Sequence, residues 1–451
     1  MAGPSNRPES GHLALHRIGL YPPSTGCPHS CVSEGGRADM EKNIFESMMV
    51  ESSLFLDKSR LHHTYVPEKL PHRDKEISTI AHNLVEALHG QIPSNMILYG
   101  VTGAGKTAVT SFVLTHLQEK GDNIDAKVGT YVINCRNIDT NYRVLALLGN
   151  ELIDDEDEKI PFTGWPTDRV FDVLMRRMED EGGVHVVVLD EIDYLIKKSG
   201  DDLLYNLTSL NGMLRNARLS VIGITNDLTF TEYLDARVRS RLGQEDLVFS
   251  PYTASQLQDI LNQRVDALVP GSVSDGVVNL CAAMAAREHG DARRALDLLR
   301  ASAEEAHRVG EEKITPHHVR LANNRLERDQ MTLVIGDLPL HQKLVLFAIY
   351  AHHRRGVKRI TTGEVYQVYK QACRHSNSLP LTARRITDLI STLDMLGMIT
   401  AQTVSRGRYG RSKEIALSIP SSIDIEQIMV EAEAMMQNVV NATYSIQSTL
   451  I

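Results

Sequence analysis

The chain has 451 residues, of which 42% are hydrophobic and 5% aromatic, and its formal net charge is −9. This length predicts two to four domains, each with enough apolar side chains for a buried core. No stretch approaches the roughly 18 uncharged apolar residues that span a bilayer, and the first residues lack the apolar segment of a secretory signal. We therefore expect a cytoplasmic protein with no membrane partner.

The charge is unevenly distributed along the chain. Residues 338–420 contain thirteen Lys and Arg against four Asp and Glu, and the remainder is strongly acidic. A basic module on an acidic chain suggests one face for nucleic acid and another for different work.

Residues 1–45 are rich in Gly, Pro, Ser and His and have no period, which predicts a disordered extension or a stretch before the true start. In residues 46–250, continuous apolar runs alternate with helix-like stretches, as in parallel strands covered on both faces. The predicted fold class is α/β, with a parallel sheet between helical layers. The predicted strands cover residues 95–100, 129–135, 184–190 and 219–226.

Only helical periodicity continues through residues 251–328, where three amphipathic stretches predict a helical lid on the α/β domain. Residues 329–420 predict three helices and then two short strands around a turn of Gly and Arg, which is the pattern of a DNA-binding winged helix. Residues 421–451 form a tail with one predicted amphipathic helix.

Residues 100–107 read GVTGAGKT and fit the phosphate-loop pattern G-x-x-x-x-G-K-[ST], between an apolar strand and a helix-like stretch. The glycines let backbone N–H groups point at an anion, and the helix start adds a positive dipole end. Lys106 is expected to reach the β- and γ-phosphates of ATP, and the Thr107 hydroxyl to hold Mg²⁺. The expected nucleotide-binding residues here are Gly103, Ala104, Gly105, Lys106, Thr107 and Ala108.

An apolar strand ends in two adjacent acids about 85 residues further on. Asp190 is predicted to hold Mg²⁺, and Glu191 to orient and deprotonate the attacking water, because positioning and charge do most of the work in phosphoryl transfer. Asp193 is expected to have a structural or supporting role.

Polar side chains elsewhere are candidates for the γ-phosphate end. Asn226 follows a buried strand and needs a polar partner, although it is also a common turn residue. Arg237 and Arg241 share one face of a short helix, and either can stabilise charge in a neighbouring protomer or simply be solvated. Arg293 stands near the start of a lid helix that Asp291 caps, and it either reaches the nucleotide or lies on the surface.

The adenine side is less defined. Val66 and Pro67, with the segment around Arg73, precede the first helix of the α/β domain and can pack on a purine. The same residues are equally consistent with plain chain entry into the domain.

The basic module presents two groups of candidate DNA contacts. Thr382, Arg384 and Arg385 fall off the apolar stripe formed by Ile386, Leu389, Ile390, Leu393 and Leu396, and the predicted hairpin has a basic tip. In a winged helix the third helix enters the major groove and the hairpin follows the backbone or minor groove. The expected DNA-binding residues are Thr382, Arg384, Arg385, Arg406, Arg408, Arg411 and Lys413.

Taken in order, these motifs resemble the archaeal initiators related to the origin recognition complex and its helicase-loading partner, within the AAA+ class. The resemblance runs over residues 65–420 and rests on GVTGAGKT, VVVLDEID, ITND, LDARVRSRLG, FSPY and GDARRALDLLR. Residues 140–152 and 161–171 resemble the helical insertion of initiator-type members, which in that family touches DNA.

The resemblance implies that Asn226 is a first sensor, Arg293 a second sensor, and Tyr252 of FSPY a nucleotide contact. It implies slow ATP hydrolysis with tightly held ADP, so that nucleotide state acts as a switch. The implied partners are origin duplex DNA, the minichromosome-maintenance helicase and other initiator protomers. The implied location is the nucleoid within the cytoplasm.

Two alternatives use the same parts. One is a transcription regulator switched by ATP, and the other is a nucleotide-gated scaffold without turnover. A clamp-loader subunit is disfavoured by the basic winged helix.

Overall fold

The computed structural model describes residues 54–444, apart from residues 63, 139, 154, 244, 358, 406–410 and 422. The predicted extension at residues 1–45 and the hairpin residues Arg406 and Arg408 therefore lie outside the described residues. Within the described part of the chain, no helix is both long enough and apolar enough to cross a bilayer.

A five-stranded parallel sheet organises the α/β domain, with strand order β2-β3-β4-β1-β5. The three central strands are buried along nearly their whole length, since helices cover both faces. The predicted α/β class and all four predicted strands are confirmed. The strands are β1 (Met96–Gly100), β2 (Val128–Asn134), β3 (Gly183–Asp190), β4 (Ala217–Thr225) and β5 (Glu245–Phe249).

Sequence analysis missed the fifth strand. Its sequence EDLVF begins with two acids, and β5 lies at the sheet edge, where most of its side chains are not buried. An edge strand does not need the continuous apolar run that identified the other four. The helices of this domain are α1 (Asp74–Leu88), α2 (Lys106–Asn123), α3 (Asn141–Glu151), α4 (Thr167–Glu181), α5 (Ile192–Ser199), α6 (Asp202–Ser209) and α7 (Ala236–Leu242).

The lid contains the three predicted helices, and Leu54 and Leu61 from the start of the described chain pack into its core. A fourth helix follows, and the proposed division between residues 328 and 329 falls inside it. Its first half packs in the lid core through Val319 and Ala322, and Ile335 near its end packs in the winged-helix core. The helices are α8 (Ala254–Asn262), α9 (Val277–Arg287), α10 (Ala292–Val309) and α11 (Pro316–Asp337).

The carboxy-terminal domain is a winged helix, as predicted. Three helices pack against a small antiparallel sheet whose strand order is β6-β8-β7. Thr382 caps the third helix, and the predicted stripe is buried except for Leu396, which follows the last helical turn and is exposed. The elements are α12 (Leu340–Arg354), β6 (Ile360–Thr361), α13 (Thr362–His375), α14 (Ala383–Met395), β7 (Ile399–Ser405) and β8 (Arg411–Leu417).

The tail forms two short helices, α15 (Ile425–Ala432) and α16 (Met436–Val440), so the prediction of a single helix is wrong. The chain leaves helical geometry at Glu433, whose φ is −147°. This turn lets Met429 and Val439 both bury their side chains in the winged-helix core. Packing therefore overrides the local helical pattern.

Two glycines with left-handed backbones provide a test of the sheet geometry. Gly183 at the start of β3 has φ +83°, and a Cβ there would overlap with the Lys127 carbonyl oxygen, whereas Gly200 has φ +73° and open space around it. We expect Gly200→Ala to lower the free energy of unfolding by about 1 kcal/mol, from backbone strain alone, and Gly183→Ala by about 3 kcal/mol. Urea unfolding followed through Trp165, the one tryptophan, measures the difference. Equal losses would contradict the proposed packing at Gly183.

Candidate nucleotide-binding site

The loop between β1 and α2 borders a cavity of about 310 Å³. Gly103 and Gly105 adopt φ values of +72° and +91°, which glycine reaches without strain. The 18-residue helix α2 begins immediately after Gly105, so its positive dipole end faces the cavity. This is the arrangement that binds phosphate groups in proteins.

The Lys106 ammonium lies at the bottom of this loop and is only 6% exposed. It donates to the carbonyl oxygens of Gly100 at 2.7 Å and Val101 at 3.0 Å, and to Oδ1 of Asn226 at 2.8 Å. Burial lowers the pKa of the ammonium to about 8, although the nearby Asp190 carboxylate opposes this shift. No carboxylate forms an ion pair with Lys106 among the described residues, so an anionic phosphate would be a favourable partner.

Thr107 and Asp190 are brought together from α2 and the end of β3. The Thr107 hydroxyl donates to Oδ2 of Asp190 at 2.8 Å, and the other carboxylate oxygen accepts from the Glu191 N–H at 2.9 Å. Hydroxyl and carboxylate oxygens are the ligands that Mg²⁺ prefers, so these two side chains fit the metal. Glu191 has φ +53°, a strained conformation for a residue with a side chain, and such strain concentrates at functional sites.

Asn226 follows the last residue of β4 and is fixed by the network behind it. The buried Thr225 hydroxyl donates to Asp193 at 3.1 Å and accepts from the Asp227 N–H at 3.0 Å. Lys197 then binds the Asp227 carboxylate at 2.8 Å, which with the Thr229 hydroxyl lowers the pKa of Asp227 to about 2. Asp193 thus supports the strand end that carries Asn226.

The end of the cavity where the adenine base is expected is apolar, and its residues come from two segments that are far apart in sequence. Val66 and Pro67 line it from one side, and Ile260 and Leu296 of the lid line it from the other. Tyr252 also lines the cavity, and its hydroxyl lies close to Gly105.

Arg264 holds this wall in place, and sequence analysis did not identify it. Its guanidinium stacks on the Tyr65 ring at 4.7 Å and donates to the carbonyl oxygens of Arg60 and Tyr65, each at 3.2 Å. Since Arg264 belongs to the lid, it ties the segment before α1 to the lid. No local pattern signals a contact across about 200 residues.

Arg73 and Ala104 are the two predicted nucleotide-binding residues that do not line the cavity. Arg73 is buried and donates to the Tyr252 hydroxyl at 2.9 Å, the Ser250 carbonyl oxygen at 2.6 Å and the Glu76 carboxylate at 2.6 Å, so its guanidinium supports Tyr252, which does line the cavity. Ala104 is also fully buried. The other predicted positions, namely Val66, Pro67, Gly103, Gly105, Lys106, Thr107, Ala108, Tyr252 and Arg293, line the cavity.

The predicted arginines lie in two places. Arg293 lines the cavity from the first turn of α10, close enough for its charge to help lower the pKa of Lys106. Arg237 and Arg241 lie outside the cavity, on one face of α7, where both guanidiniums contact the Tyr205 ring. Arg241 also donates to the Ser209 hydroxyl.

The winged helix presents Arg384 and Arg385 as exposed side chains in the first turn of α14. Arg385 makes only a long contact of 3.8 Å with Asp388, and Lys413 of β8 donates to the Ser391 hydroxyl at 2.7 Å. Arg411 contributes its backbone to β8, opposite Ser405. The structure thus places Arg384 and Arg385 at the start of α14 and Lys413 against its middle.

A phosphate loop on this five-stranded sheet, with a helical lid and a winged helix, defines a protein of the AAA+ class with a nucleotide-binding site. Family models agree: the AAA ATPase domain matches residues 69–222, the Cdc6 AAA+ ATPase-type lid domain 258–324, and the CDC6 C-terminal winged helix domain 333–427. The chain belongs to the family of ORC1-type DNA replication proteins, which are replication initiators.

Relatives cover nearly the whole chain. The ORC1-type DNA replication protein of Thermococcus kodakarensis is 50% identical over 84% of this chain and 92% of its own length. That of Pyrococcus furiosus is 46% identical over 93% of this chain and 97% of its own. The solved structure of the Aeropyrum pernix ORC1 protein in complex with DNA has 42% identity and a TM-score of 0.75, and it matches 86% of this chain and 100% of its own.

Arg264 provides a test of the base end of the site. We expect Arg264→Ala to weaken ATP and ADP binding equally, by about tenfold, because it removes the hydrogen bonds to Arg60 and Tyr65 and the stacked contact with Tyr65, none of which involves the phosphates. Calorimetric titration with each nucleotide measures this. Arg287→Ala, which removes an arginine at the end of α9 that does not line the cavity, is the control. A selective loss of ATP binding would contradict the assignment.

Proposed function

We propose that this protein is an ATP-controlled initiator that recognises origin duplex DNA and helps to load the replicative minichromosome-maintenance helicase. The observation that carries the nucleotide part is the convergence of Lys106, Thr107, Asp190 and Asn226 at one end of a single cavity. The exposed Arg384 and Arg385 of the winged helix support the DNA part.

Mg²⁺ would be held by the Thr107 hydroxyl and the Asp190 carboxylate, and it would neutralise phosphate charge. Glu191, adjacent to Asp190, is the candidate base that orients and deprotonates the attacking water. Lys106 and Arg293 carry positive charge to the phosphate end of the cavity, where such charge stabilises the transferred group. These parts support slow hydrolysis of ATP to ADP and phosphate, with the bound nucleotide acting as a switch.

Hydrolysis also involves a candidate contact from a second protomer. Arg237 and Arg241 are exposed and stand away from their own cavity, on a rigid helix face backed by Tyr205. An arginine so placed can reach the γ-phosphate of a neighbouring protomer. We assign this role to the pair, without a preference between its members.

A continuous helical path supports the switch. The lid helix α10 packs on α11, and α11 runs into the winged-helix core at Ile335. A change in lid position with nucleotide state would therefore reach the DNA-binding domain through one rigid element.

Recognition of DNA is supported by the placement of Arg384 and Arg385. They occupy the first turn of the third helix of the winged helix, the element that enters the major groove in helix-turn-helix domains. The Aeropyrum pernix relative was solved in complex with DNA, which supports the same activity for this chain. Helicase loading rests on the family membership.

Hydrolysis can be separated from binding at Glu191. We expect Glu191→Gln to retain ATP but to reduce phosphate release by about 10² or more, since a general base contributes at least that much. Release of radiolabelled phosphate in single-turnover reactions gives the rate. Glu119→Gln, an exposed change on α2, should match the wild type. Undiminished release by Glu191→Gln would reject this residue as the base.

DNA contact can be tested at Arg385. We expect Arg385→Ala to weaken binding of a duplex carrying the origin and to lower the slope of log affinity against log salt by about one, as loss of one phosphate contact predicts. Arg354→Ala removes an exposed arginine at the end of α12 that pairs with Glu426, and it is the control. Salt-titrated fluorescence anisotropy measures both. Identical affinities and slopes for the two variants would argue against the assigned contact.

A further inference from the structure

Asp291 lies where the lid meets the phosphate loop, and it was not among the predicted nucleotide-binding residues. Asp291 precedes α10 and has an extended backbone, with φ −82° and ψ 114°. Its Oδ1 accepts from the N–H groups of Arg293 at 2.7 Å and Arg294 at 3.2 Å. The carboxylate therefore caps the helix that carries Arg293.

The same carboxylate packs directly on the phosphate loop. A Cβ at Gly103 would overlap with Oδ1 and Cγ of Asp291, so only glycine leaves room for this contact. The Ala292 N–H donates to the Gly103 carbonyl oxygen at 3.2 Å, which joins lid and loop by their backbones. Asp291 thus contacts the phosphate loop and caps α10, and Arg293, two residues later, lines the cavity.

The position is fixed from behind as well. The Tyr252 N–H donates to the Gly290 carbonyl oxygen at 3.3 Å, and a Cβ at Gly290 would overlap with the Tyr252 carbonyl oxygen. Gly290 and Asp291 are therefore held between the segment that leads into the lid and the phosphate loop.

A carboxylate beside a phosphate site needs a physical reason, since like charges repel. Here Oδ1 is engaged by two N–H groups at the positive end of an 18-residue helix, which offsets its charge. Asp291 therefore acts through its hydrogen bonds and its contact with Gly103, and a net negative charge is not required.

We propose that Asp291 is a positioning residue for nucleotide retention: it latches α10 onto Gly103 and thereby holds Arg293 in the cavity. This inference rests on the nucleotide binding proposed above. Without the carboxylate, α10 keeps the Ala292–Gly103 backbone hydrogen bond but loses the contact of Asp291 with Gly103, so Arg293 is held less firmly and the nucleotide is released faster. An asparagine, which caps helices as well as aspartate does, preserves the latch.

The test measures dissociation of a fluorescent adenine nucleotide from the full-length protein. We expect Asp291→Ala to speed dissociation roughly tenfold and Asp291→Asn to stay within about twofold of the wild type. If Asp291→Ala does not fold, Asp291→Gly replaces it, because glycine at a helix N-cap costs little while still removing the carboxylate. Asp424→Gly removes a matched cap, on Gln427 of α15, outside the cavity and should leave the rate unchanged.

A double variant separates positioning from a general structural role. If Asp291 acts through Arg293, dissociation from Asp291→Gly combined with Arg293→Ala will be no faster than from Arg293→Ala alone. Multiplication of the two effects would overturn the inference, as would a rate for Asp291→Gly equal to that of Asp424→Gly. A wild type that retains no adenine nucleotide would instead overturn the proposed function.

Discussion

The buried ammonium of Lys106 is the constraint on which the nucleotide site depends. A charged group almost without access to water is costly unless acceptors surround it. Here two carbonyl oxygens of its own loop and the Asn226 side chain supply those acceptors. Because these groups come from the end of β1 and the end of β4, the sheet must place the strands side by side for Lys106 to be tolerated. Burial of Lys106 therefore requires β1 and β4 to be neighbours in the sheet, as they are.

Much of this arrangement could be predicted from the sequence because short, contiguous motifs encode it. The glycines and lysine of the phosphate loop, the acids at the end of β3 and the asparagine after β4 each follow an apolar run, and parallel strands bring such ends together. Strand β5 escaped prediction because an edge strand needs no continuous apolar run. Arg264 escaped because its partners, Arg60 and Tyr65, lie about 200 residues away and only folding brings them together.

Arg73 shows a limit of local patterns. Its nearness in sequence to Val66 and Pro67 indicated a nucleotide contact, but its guanidinium turns inward to hold Tyr252 and Ser250. A local pattern predicts which segment approaches the site, but not which side chains of that segment face it. The tail shows the same limit, since Met429 and Val439 share a core only because the chain turns between them.

The lid connects the nucleotide site to the winged helix. It supplies half of the base wall, carries Arg293 on a helix seated on Gly103, and continues through α10 and α11 into the winged helix. Its core also includes Leu54 and Leu61, which precede the first helix of the α/β domain. A nucleotide bound between lid and loop would contact the α/β domain and the lid directly. Its effect on the winged helix would pass through α11.

The most direct test of this account is nucleotide binding by Lys106→Met, a substitution of similar length that removes the charge. We expect the free variant to be somewhat less stable to heat than the wild type, because the carbonyl oxygens of Gly100 and Val101 and Oδ1 of Asn226 lose their donor. The account predicts that equilibrium dialysis with Mg²⁺ and ATP detects one bound nucleotide for the wild type and none for the variant. Equal ATP affinity in the two proteins would contradict the account.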